Sequence, residues 1–124
     1  MRTPEHNEQV ALFQWAAFMS EKAPELKWIF SIPNGGLRSK VTAARLKAEG
    51  VKAGVADIFL PSASGKWNGL FIEMKAEKGK LSEKQTEFFK AMLAADYLCV
   101  VCFGADQAIT AIKSYLNRPD LEEF

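Results

Sequence analysis

Cysteine and histidine are scarce in this chain, with two of the first and one of the second. A structural zinc centre draws four ligands mainly from those side chains, so that class is poorly supplied. Cys99 and Cys102 do form a C-x-x-C, but they lie in the apolar, strand-like run Tyr97-Leu98-Cys99-Val100-Val101-Cys102-Phe103. Residues three apart on a strand point to opposite faces, which favours two buried thiols over half a zinc site or a redox pair. His6, close to the terminus, reads as solvent-exposed rather than catalytic. Missing as well are an apolar run of about 18 residues that would cross a bilayer and a basic-then-apolar leader, and the expected location is the cytoplasm, or the host cytoplasm for a viral chain. Neither sign of charge dominates: 16 Lys and Arg against 15 Asp and Glu leave +1. Bulk charge therefore does not make the protein a polycation that clings to nucleic acid. There is no internal repeat, linker or low-complexity segment.

What is present fits one compact α/β domain. The 124 residues are 48% apolar, enough to bury a single core without disulfides. The expected extent is residues 1–118, followed by an acidic tail at 119–124, with the stretch from Asn117 to Phe124 expected to be loose or only locally ordered. In order, the patterns predict a helix from Glu5 to Lys22, a strand from Trp28 to Ile32 and a helix from about Leu37 to Glu49. A hairpin, a helix from Leu81 to Ala95, a strand through Cys99 and a helix from about Ala105 to Leu116 follow. The order is α-β-α-β-β-α-β-α, with helices flanking a central mixed sheet. Gly50 is placed to close the second helix. Ser62 to Gly69 is the candidate mobile loop, where Trp67 either touches a ligand or covers the hairpin.

Charges in dry places direct attention to the hairpin. In Gly69-Leu70-Phe71-Ile72-Glu73-Met74-Lys75 the period of two sets Phe71, Glu73 and Lys75 on one face. The preceding strand carries Asp57 at its start, and pairing across the short connection brings Asp57 opposite Glu73. Close carboxylates repel, and a bound Mg²⁺-type cation or an adjacent base such as Lys75 relieves that repulsion. Taken alone, a Glu-x-Lys on a strand more often marks a half-solvated face.

Gln85 lies inside the apolar stripe formed by Leu81, Phe88, Phe89, Met92 and Leu93. A buried amide needs partners, at a penalty of about 1–3 kcal/mol otherwise. Either it faces a polar cleft, or it closes a capping box with Ser82; both roles are open. Glu8 heads the line Glu8, Leu12, Trp15 and Met19 on the first helix. It is either a site residue or an exposed acid favoured by the helix dipole.

Read in sequence, Glu8, Ile32-Pro33-Asn34-Gly35-Gly36, Gly50-Val51-Lys52-Ala53-Gly54-Val55-Ala56-Asp57, Ile72-Glu73-Met74-Lys75 and Gly79-Lys80-Leu81-Ser82 with Gln85 resemble the VRR-NUC family. These virus-type replication and repair nucleases belong to the PD-(D/E)XK, restriction-endonuclease-like superfamily, and the resemblance spans nearly the whole chain. The lone Asp and Glu-x-Lys are weak signals, whereas the Asn-Gly-Gly and Gly-x-x-x-Gly-x-x-Asp elements are specific. Ala56 stands where the superfamily name has proline. The resemblance implies a restriction-endonuclease-like core and metal-dependent DNA hydrolysis. Asp57, Glu73 and the Met74 backbone carbonyl would hold Mg²⁺ or Mn²⁺, Lys75 would handle the attacking water or the phosphate charge, and Gln85 and Glu8 would complete the site. Glu5 is the alternative to Glu8 after a small shift of register. Small stand-alone members resemble junction-resolving nucleases, which implies branched DNA and a homodimer, for which Trp15 and Phe18 offer apolar surface.

Asn34, Gly35 and Gly36 lead from a strand into a helix start, where free N–H groups bind anions. Arg38 and Lys40 there oppose the helix dipole unless a DNA phosphate occupies that end. With Lys52 they make a basic stretch, and Gly54 would let backbone approach the substrate. The bland reading is an ordinary turn before a solvated helix. Two rivals remain: a DNA-binding module that keeps the nuclease fold without activity, and an adaptor whose charged strand is only surface.

Overall fold

The computed structural model describes residues 4–33 and 40–123. Helix α1 spans Pro4–Met19 and leads through a single 3-10 turn, Pro24–Trp28, to strand β1, Phe30–Ser31. Helix α2, Lys40–Ala48, precedes β2, Ile58–Leu60, and β3, Leu70–Met74; α3, Glu83–Ala94, β4, Leu98–Cys102, and α4, Ala105–Leu116, complete the chain. The order matches the sequence pattern. One four-stranded mixed sheet has the order β1-β2-β3-β4, the first two pairings antiparallel and the last parallel.

Because β3 is central, both of its faces are covered and all five of its residues are buried, as expected for a strand between helical layers. Its alternation divides them. Leu70, Ile72 and Met74 join Ile58 and Leu60 in the main core, where α1 contributes Leu12, Trp15, Ala16 and Met19 and α4 contributes Ala108, Ile109 and Ile112. Phe71 faces the other way, into a smaller cluster with Ala56, Phe59, Phe88, Phe89 and Tyr97, so α3 covers this second face. Phe59 and Phe71 stack with centroids 4.3 Å apart. Cys102 belongs to the main core and Cys99 to the second cluster. The two thiols thus lie on opposite sides of the sheet, and burial pushes each up to about 11.

The hairpin connection is tied down rather than mobile. Ser64 and Trp67 exchange both backbone hydrogen bonds across a two-residue turn, the Ser64 hydroxyl donates to the Tyr115 carbonyl, and the Tyr115 hydroxyl donates to the Ser62 carbonyl. Trp67, half-buried, packs against the main core and covers the hairpin.

Of the two expectations for the chain end, loose or locally ordered, the described residues up to Glu123 show order. Asn117 takes a left-handed conformation that stops α4, and Arg118 N–H returns to the Lys113 carbonyl, the Schellman arrangement. Leu121 then enters the core at 1% exposure. The indole N–H of Trp15 donates to the Glu122 carbonyl, Lys113 pairs with Glu123 at 3.8 Å, and Arg118 pairs with Asp120 at 2.9 Å. Burial of Leu121 makes it part of the folding unit. Leu121→Ala is expected to cost about 2–4 kcal/mol, read from urea unfolding, whereas a loose tail would leave the midpoint unchanged.

Candidate active site

The register of β2 and β3 pairs Ile58 with Ile72, and one further step sets Asp57 opposite Glu73. The step is real. Asp57 Oδ2 accepts a hydrogen bond of 2.9 Å from Met74 N–H, and Ile32 N–H donates to the Asp57 carbonyl at 2.6 Å. Asp57 is therefore fixed from both neighbouring strands. In an extended strand a residue's N–H and C=O point toward the same edge, so the Met74 carbonyl faces the Asp57 side while its side chain fills the core.

Glu73 is only 3% exposed. Its Oε2 accepts from Gln85 Nε2 at 3.1 Å and lies 3.6 Å from Lys75 Nζ. Its Oε1 is buried and without a hydrogen-bond partner. Burial first, and then the neighbouring charge of Asp57, raise the Glu73 pKa to about 8, against a smaller opposing pull from Lys75. Without a cation, Glu73 therefore holds a proton at neutral pH.

Lys75 Nζ donates to Gln85 Oε1 at 2.9 Å. That oxygen also accepts Ser82 N–H at 2.9 Å, while Ser82 Oγ accepts Gln85 N–H. The two roles open for Gln85 are thus one role: the capping box that starts α3 holds the amide so that its oxygen meets Lys75 and its nitrogen meets Glu73.

Glu8 bonds at the start of α4. Its Oε1 accepts Ala105 N–H at 2.8 Å, capping the start of α4, where Gly104 supplies no side chain. Glu5 accepts Ala76 N–H at 3.0 Å, one residue beyond Lys75. Both glutamates thus reach the C-terminal ends of β3 and β4, yet among the described residues neither hydrogen-bonds Asp57, Glu73, Lys75 or Gln85.

Gly54 has a different neighbour from the one expected. With φ at +91°, a Cβ there would meet the Lys84 carbonyl carbon and oxygen at 2.7 Å. The backbone that needs the space is the first turn of α3, so Gly54 locks the Asp57 loop against the helix that carries Gln85. Sequence reasoning missed this, though the glycine itself was the available signal.

Of the expected phosphate contacts, Asn34, Gly35, Gly36 and Arg38 lie outside the described residues. Lys40 and Lys52 are exposed. None of the residues of α2 is buried, and Val51 N–H to the Leu46 carbonyl closes that helix at Gly50. Arg45 and Glu49 form an exposed pair at 3.5 Å, which contributes little to stability.

Among the described residues no three His, Cys, Asp or Glu side chains gather as a ligand cluster. Two carboxylates and a carbonyl suffice for Mg²⁺, which keeps several waters and takes substrate phosphates as further ligands. The oxygen donors and the orphaned Glu73 Oε1 fit such an ion, and Asp57, Glu73 and the Met74 carbonyl would hold it.

The fold and this cluster define an α/β protein whose paired carboxylates and lysine meet on one face of a mixed sheet. The VRR-NUC domain matches residues 1–106, and the chain belongs to that family, a nuclease family. Its structure is similar to a solved "VRR_NUC domain protein", with a TM-score of 0.78 and 28% identity, covering 100% of this chain and 94% of the other. Among curated proteins nothing matches. Within the described residues no helix is long and apolar enough to cross a membrane.

Proposed function

We propose that the chain is a Mg²⁺- or Mn²⁺-dependent DNA endonuclease acting on branched DNA. The observation that carries this reading is the buried, unpartnered Glu73 Oε1 beside Asp57. An orphaned carboxylate oxygen is costly, and a cation shared with Asp57 relieves both the desolvation and the repulsion. When bound, such a cation supplies charge to polarise a phosphodiester oxygen and to acidify an attacking water.

The residues divide the remaining work. Asp57, fixed by Met74 N–H, and Glu73, fixed by Gln85, set the position of the charge. Lys75, with one N–H committed to Gln85 and its charge 3.6 Å from Glu73, would use its remaining donor capacity to orient the water or to neutralise charge on the phosphate. To hold such a cation Glu73 would have to release its proton, so metal affinity should rise with pH. Lys40 and Lys52, with Arg38 and the Asn34-Gly35-Gly36 segment, would contact phosphates.

A homodimer would supply the two sites that a four-way junction requires. Trp15, expected to help form that surface, is fully buried. Val10 and Phe18 are exposed on α1, beside a groove of about 390 Å³ lined by His6, Gln9, Val10, Phe13, Gln14 and Ala17, and this outer face would meet the second copy.

Flap, four-way, duplex and single-stranded DNA incubated with Mg²⁺, Mn²⁺ or EDTA provide the test, with sedimentation alongside. Chelator-sensitive products from the branched substrates are expected. DNA binding without products under any metal would make the protein an inactive module and overturn the reading.

A further inference from the structure

Lys75 is held by more than its hydrogen bond to Gln85. Its side chain is 17% exposed, and a Cβ built on Gly79 would stand 3.2 Å from Lys75 Cβ and 3.3 Å from Lys75 Cδ. The aliphatic stem thus lies along Gly79. A tight turn at residues 76–79 carries that glycine, closed by Gly79 N–H donating to the Ala76 carbonyl at 2.8 Å.

The glycine stands where the backbone of the turn does not ask for one. Lys78 takes the left-handed conformation, at φ +70°, while Gly79 is not among the glycines with positive φ. A turn with φ above zero at its third residue accepts glycine most easily at that residue, one place earlier. Space, rather than conformation, therefore explains Gly79. An added Cβ would also meet the Ala76 carbonyl oxygen at 2.9 Å, well inside the separation at which packed atoms attract. Turn and lysine stem could not both keep their places.

The stem is the part that yields. Ala76 N–H donates to Glu5 Oε1 at 3.0 Å and Lys75 N–H donates to the Cys102 carbonyl at 3.0 Å, so α1 and β4 tie the backbone on either side of the lysine. Its side chain is a flexible four-carbon chain. Displaced, it would carry Nζ away from Gln85 Oε1, now at 2.9 Å, and from Glu73 Oε2, now at 3.6 Å.

We propose that Gly79 is a positioning residue for Lys75: lacking a side chain, it lets the turn, tethered by Glu5, form the wall against which the lysine stem lies, and so aims the ammonium at the carboxylates. The effect on catalysis rests on the nuclease reading; the geometry does not.

Two variants and two readouts test this. Gly79→Ala adds the clash. Glu5→Ala, at an exposed position, frees the same turn without adding an atom and decides the matter if Gly79→Ala does not fold. In EDTA and without DNA, acetic anhydride labels the lysines at one fixed pH, and peptide mass mapping compares Lys75 with the exposed Lys90. Lys75 should label slowly in the wild type and faster, relative to Lys90, in both variants. With Mg²⁺ and branched DNA, kcat of Gly79→Ala should fall about 10²-fold, the scale for a reacting group misplaced by about 1 Å, while KM stays at the wild-type value. Gly50→Ala controls for lost stability alone and should leave Lys75 labelling unchanged. Wild-type labelling of Lys75 in the variants, an equal rise in Gly50→Ala, undiminished kcat in Gly79→Ala, or a loss carried by KM would each overturn the proposal. A wild-type protein that cleaves no DNA, with Lys75 labelling raised in the variants, would keep the positioning role and remove the nuclease; cleavage with unaltered labelling would do the reverse.

Discussion

Glu73→Gln should abolish cleavage and make the metal-free protein more stable at pH 8. Activity is expected to fall by roughly 10²–10³-fold or more, the scale for losing one electrostatic contact with the transition state. The amide keeps the shape of the carboxyl and can still accept from Gln85 Nε2, so the local fold persists. Stability follows from the raised pKa. Folded Glu73 titrates near 8 against the usual value of 4.5, so between those limits the native state binds a proton that the unfolded chain has released. The contribution is fully present below 4.5 and is lost as pH rises through 8. Without metal, wild-type stability should therefore fall across pH 5 to 8, whereas Glu73→Gln should lack that component. Thermal melts at the two ends of the range, in EDTA, check this directly. A variant with full activity, or one that keeps the wild-type slope, would show that the buried carboxyl has neither role. Asp57→Ala, which also leaves Met74 N–H without its acceptor, should be equally inactive.

The arrangement of the candidate site was legible because period-two and helical spacing each reduce to which side of an element a residue occupies. Asp57 opposite Glu73, Lys75 beside them and Gln85 in the stripe of α3 all follow from local geometry plus one hairpin pairing. What escaped was long-range. Leu121 is one apolar residue among acids, and only the space between α1 and α4 makes it a core residue. Ser62 to Gly69 has the composition of a free loop, yet Tyr115, some fifty positions later, holds it. Glu8 follows the same apolar line as Leu12 and Trp15, but its carboxylate caps α4, a contact that depends on two helices packing together. The exposed ring of Phe30 was hidden for the same reason: an apolar strand looks buried until the topology puts it at an edge.

Gly54 offers a controlled comparison with Gly50, because both adopt positive φ, +91° and +103°, and only one is crowded. Alanine at either position enters the left-handed side of the map, costing about 1–2 kcal/mol. At Gly50 no atom lies within 4 Å of the new Cβ, so that cost is the whole effect. At Gly54 the Cβ would sit 2.7 Å from the Lys84 carbonyl group, and backbone in the first turn of a helix cannot swing aside as a flexible side chain does. The loop or the helix must move, adding about 1–3 kcal/mol for overpacking. Either movement separates Asp57, three residues after Gly54, from Gln85, the residue after Lys84. Gly54→Ala should therefore lose clearly more stability than Gly50→Ala in urea unfolding. It should also lose cleavage while still folded, because the carboxylate of one segment no longer meets the glutamine that orients Glu73 and Lys75. Equal losses in the two variants would mean that the loop and α3 yield to each other without disturbing the site.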